Sequence, residues 1–432
     1  MAERKADARL GAAAVFAATV AVFLPALKYP FLNWDDYPNV AANDLLRFDA
    51  DGLRFMFFGS KLGHWQPATW LTLAADRLIW GAAPMGYHLT NILIHAAGAA
   101  VLFLLARRLK VPAVLAALLW ALHPLRVESV AWITERRDVL CGLLSLGAAY
   151  SYLRGAEEKT WRRRALLLTA LAMTAKVFAV VLPAVWLVLD WHIEKRPRWA
   201  EKLEYLPFAA VALGVNLVAQ AGSGAAVSLS AFGVSSRLAQ SFYNLVFYPW
   251  KTLAPTGLAP LYEYSVLLEP FRFTVAAAVV LTALPLLWLY RRRAPGLVAA
   301  LLAYAILLLP ALGLFKSGRM TAADRWSYLP AIPLSLFLAG ALERLLPVRA
   351  YRAAAAVLLL ALAVATRFQL PVWSSDEALW ERAVDASPMS YFALERLADA
   401  EAAAGKPGQA DGRRAHAQTM RRFTAALADQ VK

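Results

Sequence analysis

Long apolar runs constrain this chain more than any other feature. Gly11–Leu27, Phe271–Tyr290 and Ala353–Thr366 mark segments in which charged side chains are almost absent. A helix needs about 20 apolar residues to cross a bilayer. A backbone inside hydrocarbon must satisfy its own N–H and C=O groups, so such runs become helices. Composition agrees: 17% of the 432 residues are charged and 60% are hydrophobic, against about 25% charged in a soluble domain. The chain reads as an all-α polytopic membrane protein. Spans fall near 10–28, 89–106, 111–123, 138–153, 165–175, 176–190, 204–221, 271–290, 296–314, 327–342 and 351–367, about 11 helices, which puts the termini on opposite sides. Residues 165–190 are short for two full spans, so a kink is expected at Ala175-Lys176 or Pro183. The lone Cys141 excludes an internal disulfide and a thiolate metal cluster.

The net charge of +15 would point to nucleic acid in a soluble chain. Here it is a topology signal. Twenty-one Lys and Arg residues fall in the segments 1–10, 107–110, 154–164, 190–204, 291–293 and 343–352, whereas the far longer segment 29–88 holds only Arg47, Arg54, Lys61 and Arg77. The positive-inside rule then places the N-terminus in the cytoplasm, on an uncleaved signal anchor, and the C-terminus on the exoplasmic side. Arg162-Arg163-Arg164 and Arg291-Arg292-Arg293 read as stop-transfer anchors, with no nucleic acid partner. Ser236–Leu253 reads as an interfacial helix, because one more span would move Arg291-Arg292-Arg293 outside. The Ala-, Leu- and Arg-rich usage fits a bacterial inner membrane.

Three polar clusters collect on the exoplasmic side. Asn33-Trp34-Asp35-Asp36 opens the loop 29–88, whose Trp- and Phe-rich pieces read as helices lying in the headgroup layer. His123-Pro124 to Asp138 follows; one continuous helix there would set Glu128, Glu135 and Asp138 on a broad face beside Arg136 and Arg137. The third is Lys316-Ser317-Gly318-Arg319 with Asp324-Arg325-Trp326-Ser327-Tyr328, where the basic residues run against the charge rule, as Lys176 does. Cations at the outer headgroup level suit a lipid phosphate.

These residues resemble a known family. Asn33-Trp34-Asp35-Asp36, Trp65-Gln66-Pro67-Ala68-Thr69, Trp80-Gly81, Gly86-Tyr87-His88-Leu89-Thr90-Asn91, His95, the stretch His123–Leu140 and Ala323–Pro330 look like bacterial relatives of the transmembrane and tetratricopeptide-repeat O-mannosyltransferases, over roughly 10–385. The resemblance implies the GT-C fold of polyprenyl-phosphate-sugar-dependent membrane glycosyltransferases over 1–370, with its acidic motif on Asp35 and Asp36. The tail 371–432 adds to it: Trp380–Val384 matches the second helix of a tetratricopeptide repeat and Leu394, Leu397, Ala398, Gly405 and Ala410 fit part of the next. One and a half repeats are too few for a repeat array, so the degenerate tail is expected to dock as an exoplasmic stub.

The function this implies is transfer of a sugar, with mannose suggested by the family, from a polyprenyl-phosphate donor to a hydroxyl on a protein or an envelope glycan or lipid. The acceptor proton needs a base, for which Asp35 and Asp36 stand. The leaving phosphate gains charge, so cations there favour the transition state; Arg136, Arg137, Lys176, Arg319 and Arg325 are the candidates. His88, His123, Glu128, Glu135, Asp138 and Asp324 would orient substrate or those cations. Direct displacement predicts inversion at the anomeric carbon. His64, His88, His95 and His123 show no ligand spacing, so no metal or other cofactor is expected; a divalent ion on Asp35 and Asp36 is the alternative. The rival readings are a multi-pass transporter or flippase and a non-catalytic assembly protein.

Overall fold

The computed structural model describes residues 2–155, 158–224, 227–229, 232–265, 269–314 and 318–430. Lys316 and Ser317 of the third polar cluster lie outside the described residues. Among the described residues every extended regular element is helical. Helix α1 (Ala2–Phe23) leads through a one-turn helix (Leu24–Lys28) into the loop, which carries α2 (Ala50–Phe58) and α3 (Pro67–Trp80). Asp49 caps α2, its Oδ1 accepting from Gly52 N at 2.9 Å, and Pro67 starts α3 where its missing N–H costs no hydrogen bond. Helix α4 (Pro84–Arg108) follows and packs against α1, α5 (Ala113–Ala121) and α7 (Arg136–Gly155). Its small residues permit that crowding: a Cβ on Gly98 would already touch Trp120 at 3.5 Å.

Six helical segments are long and apolar enough to cross a membrane: Ala6–Lys28, Pro84–Arg108, Val177–Glu194, Trp199–Ser223, Pro270–Tyr290 and Val348–Trp373. They match the spans expected at 10–28, 89–106, 176–190, 204–221, 271–290 and 351–367. A seventh forms if the bent pair Ala113–Ala121 and Pro124–Ala131, which turns by 55°, counts as one span. The remaining expected spans lie on helices that are shorter or carry charge: α7, α8 (Lys159–Ala175), α14 (Pro295–Leu308) and α15 (Ala331–Leu345). Between them run α9 (Leu182–Glu194), α10 (Trp199–Lys202), α11 (Leu206–Ser223), α12 (Val234–Leu253) and α13 (Pro270–Tyr290). The kink near 175 is a full break: Lys176 is extended at φ −152°, ψ 127°. Helix α12 is not among the apolar candidates; it turns Arg237, Gln240, Ser241 and Asn244 inward and leaves Leu238, Trp250 and Leu253 exposed.

After α16 (Val348–Gln369) the tail forms α17 (Asp376–Ala386), α18 (Tyr391–Ala403) and α19 (Pro407–Gln430). Ser375 and Ser390 cap α17 and α18 by accepting from Ala378 N and Ala393 N. The tail packs on the membrane half, and Leu379, Trp380, Ala383, Ala393 and Leu397 belong to the same buried cluster as the membrane helices. Trp34 sits between Trp132 (5.0 Å between ring centres) and Trp380 (4.9 Å). Asp376 Oδ1 accepts from Asn33 N at 2.6 Å, and Ser390 donates to Glu263 at 2.6 Å. One first-loop turn and one tail helix thus close over the same place.

Candidate active site

The second polar cluster carries the site, although not as one helix. The chain runs through a single turn (Pro124–Arg126), α6 (Val127–Ala131), an extended Trp132 and another turn (Ile133–Glu135) before α7 begins. Breaking a helix frees carbonyls, and here Asn91 on α4 serves them, donating to Val130 O (3.3 Å) and Trp132 O (3.2 Å). The face that uninterrupted periodicity predicts for Glu128, Glu135 and Asp138 therefore does not exist. The three carboxylates converge through the breaks instead.

Glu135 is the centre. Its carboxylate meets Arg137 at 2.5 Å, Arg325 Nε at 3.2 Å and Lys176 Nζ at 3.5 Å. Glu128 holds Arg325 from the other side, at 2.5 Å to the guanidinium and 2.8 Å to the backbone N–H. Asp138 holds Lys176 Nζ at 2.5 Å and accepts from Ser129 Oγ at 3.2 Å. Burial by itself would raise the Glu135 carboxyl, but Arg137, Lys176 and Arg325 together hold it well below its ordinary range. Three carboxylates balance three cations, so the buried cluster is close to neutral.

All three cations face a cavity of about 360 Å³, lined also by Trp34, His64, Gln66, Phe178, Arg319, Trp326 and Phe392. Its apolar wall includes Val177, Leu261, Pro310 and Ala311. The break at Lys176 is what brings a lysine to this wall, since the end of a helix lets the chain turn its amine toward Asp138. Arg319 reaches the cavity from the loop before the Asp324–Ser327 turn, and contacts Glu263 at 3.4 Å and the rings of Tyr391 and Phe392 at 5.0 and 4.7 Å. Gln66 is buried and its Oε1 has no partner among the described residues.

The structure separates Asp35 from Asp36. Asp36, 1% exposed, is a staple: Oδ1 accepts from Thr134 N (2.9 Å) and Thr134 Oγ1 (2.6 Å), and Oδ2 accepts from Leu32 N (3.1 Å). Three of its four lone-pair positions are taken, which leaves little for a proton transfer or a metal ion. Burial pushes its carboxyl up to about 7 against those hydrogen bonds. Asp35 is half-buried, and its carboxylate has no hydrogen bond among the described residues. Burial raises its carboxyl, while Arg137 and Arg325 pull the other way. Among the described residues no group of three His, Cys, Asp and Glu side chains is arranged to hold a metal ion.

The other expected site residues lie apart from the cavity. Arg136 points into the core, bonded to Asp76 (2.6 Å), Asn91 and Tyr87 O (2.9 Å); adjacent in sequence to Arg137, it leaves the helix in another direction. His88 packs edge-on to Tyr29. His123 caps the turn that follows it, Nδ1 accepting from Leu125 N at 3.2 Å and Nε2 facing Thr252 O at 3.0 Å. Asp324 accepts from Tyr262 Oη at 2.8 Å, and burial raises its carboxyl well above the usual range. Conversely His64, Gln66 and Phe392 reach the cavity without having been expected there; for the first two the flag was the adjoining Trp65-Gln66-Pro67 motif, whereas nothing in the tail's periodicity marks Phe392.

Comparison with known proteins adds to this geometry. Residues 68–219 match the family described as dolichyl-phosphate-mannose-protein mannosyltransferase. The protein O-mannosyl-transferase Tmtc1 of Drosophila melanogaster is 31% identical over 164 residues, 35% of this chain and 19% of that protein. The human protein O-mannosyl-transferase TMTC3 is 32% identical over 157 residues, 34% of this chain and 16% of that protein. The chain thus matches less than a fifth of the length of either of these two relatives. Among solved structures, ArnT from Cupriavidus metallidurans bound to undecaprenyl phosphate aligns with 96% of this chain and 76% of that one at TM-score 0.45 and 16% identity.

Proposed function

We propose that this protein, a relative of the protein O-mannosyl-transferases over that stretch, is a membrane glycosyltransferase. It moves a sugar from a polyprenyl phosphate to a hydroxyl on a protein or an envelope glycan or lipid at the exoplasmic face. The observation that carries the reading is that Arg137, Lys176 and Arg325 line one cavity with Trp34, while Asp35, next in the chain and without a hydrogen bond among the described residues, feels the charge of Arg137 and Arg325. The three cations would take the donor phosphate, and they are already oriented by Glu128, Glu135 and Asp138, so no reorganisation is needed as charge develops on it. Asp35 would take the acceptor proton as the hydroxyl oxygen attacks the anomeric carbon. Its carboxyl is raised toward the working pH, which suits a base that must also release that proton. Attack from the face opposite the phosphate inverts the anomeric carbon. The apolar wall at Val177, Phe178 and Pro310 would receive the first isoprene units.

Topology enters the same reading: the N-terminus and the basic runs are cytoplasmic, and the cavity with its tail is exoplasmic, in a bacterial inner membrane. Purified protein in lipid nanodiscs, given radiolabelled polyprenyl-phosphate mannose and a serine- and threonine-rich peptide, tests the proposal. Asp35→Asn is expected to lower transfer by about 10²–10⁴-fold with the melting temperature unchanged. Transfer at the wild-type rate by that variant would remove Asp35 from the mechanism.

A further inference from the structure

His64 stands in the cavity for a reason the second cluster does not supply. It ends a two-residue turn closed by Lys61 N to His64 O (3.1 Å) and His64 N to Lys61 O (3.0 Å). The central residues Leu62 and Gly63 both have positive φ, 50° and 75°. Glycine accepts that region readily, whereas a leucine is held there only when its surroundings impose it. The surroundings are visible. A Cβ on Gly63 would stand 2.7 Å from Ser223 Oγ on α11, Trp65 N donates to Asn216 Oδ1 on α11 at 3.4 Å, and Trp65 Nε1 donates to Phe57 O at 2.8 Å. The turn is wedged between α2 and α11. Its product is one imidazole at the cavity wall with no hydrogen-bond partner among the described residues. The charged groups that act on it are Arg137, Glu135, Lys176 and Arg325. Burial and the three cations hold it well below the usual histidine range, with Glu135 opposing, so at neutral pH it is an uncharged N–H donor.

We infer that His64 donates a hydrogen bond to the donor's phosphate and tightens it as the sugar leaves. The inference rests on the reading of the cavity as a polyprenyl-phosphate site. In the transfer the bond from the anomeric carbon to the phosphate oxygen breaks, and its electron pair stays on that oxygen. A bond from the acceptor oxygen forms, and the acceptor proton goes to Asp35; His64 keeps its own proton throughout. The donor is a phosphodiester with one negative charge. The departing phosphate monoester carries close to two above its second pKa of about 6. A cation there also gains as charge builds on the oxygen; His64 adds to that without bringing a further charge into the cavity. A neutral donor whose hydrogen bond strengthens with the charge on the oxygen favours the later states. His64 therefore discriminates monoester from diester.

The test uses the full chain in nanodiscs at pH 8, with two probes: a prenyl monophosphate and its methyl phosphodiester, which carries one charge. The expected result for His64→Leu is about a tenfold loss of affinity for the monoester, the scale of one hydrogen bond to a charged group, with the diester changed by less than about twofold. His64→Gln, which keeps an N–H, is expected to recover part of the loss. An unchanged ratio of the two affinities in His64→Leu overturns the assignment, as does an equal loss of both. Lys176→Ala separates the layers. If it weakens both probes while His64→Leu weakens neither, the phosphate reading stands and His64 falls; if the wild type binds neither probe, the phosphate reading itself fails.

Discussion

Two buried clusters of charge stand at opposite ends of α7, and they do different things. At one end Asp138 joins Glu128, Glu135, Arg137, Lys176 and Arg325. Fourteen residues on, roughly 21 Å along the helix at 1.5 Å per residue, Tyr152 donates to Asp190 at 2.6 Å. Asp190 also takes Lys202 Nζ at 2.5 Å and Arg198 at 2.9 Å. Arg198 also reaches Glu194 and Glu201, at 3.3 and 3.7 Å, and the result is mechanical: α10 is pinned to the end of α9. In the first cluster the carboxylates lie behind and the cations face a cavity that His64 and Trp34 also line, with His64 and, beside Trp34 in the chain, Asp35 unspent. Buried charge alone therefore does not mark a site. What separates the two is whether any hydrogen-bonding capacity remains pointed at open space.

That difference can be broken by mutation. The largest effect is expected from Glu135→Ala, which leaves Arg137, Lys176 and Arg325 without their common carboxylate. Removing one partner of a buried ion pair costs about 3–5 kcal/mol, so chemical denaturation in detergent should show a loss of that size together with loss of transfer. A stable, active variant would mean that solvent, not Glu135, neutralises the cations. Lys202→Met at the other end should cost less, about 1–3 kcal/mol, because Asp190 keeps Arg198 and Tyr152. Transfer per folded molecule should not change; a changed donor KM would show that the two ends are coupled along α7.

The smallest effect, read per pH unit, is a slope. The Asp36 carboxyl stands at about 7 in the folded protein and near 3.9 in an unfolded chain, so between those values the folded state binds the extra proton. Stability from this group is present at low pH and is lost as pH rises toward 7, by at most about 1.4 kcal/mol per unit. Asp36→Asn should flatten that part of the stability profile. A slope that survives the substitution belongs to another group, with buried Asp324 the first to examine.

Much of the fold was legible because the bilayer imposes a local rule: a run of about 20 apolar residues needs no partner to be recognised. Six spans follow from it directly. The convergence of 128–138, 176 and 319–325 was legible too, as charge in places where a membrane chain has little reason to carry it. Direction was not legible. Arg136 and Arg137 are neighbours, yet one is sealed against Asp76 and the other faces the cavity. Asp35 and Asp36 read as a pair, yet Thr134 and Leu32 consume one and leave the other. His64 was marked only by the adjoining Trp65-Gln66-Pro67 motif, because its position depends on a turn wedged between α2 and the distant α11.

By itself, then, the sequence determined that this chain is helical, that it lives in a membrane, and which few segments carry charge worth explaining, because each of these follows from hydrophobicity summed over neighbouring residues. Tertiary structure decided which of those charges remain available: whether a buried carboxylate is a staple or a base depends on donors brought to it from 98 residues away, and local pattern holds no record of them. It also decided that the tail closes on the first loop through Trp380 and Trp34, since an apolar face states that it must be buried but not against what.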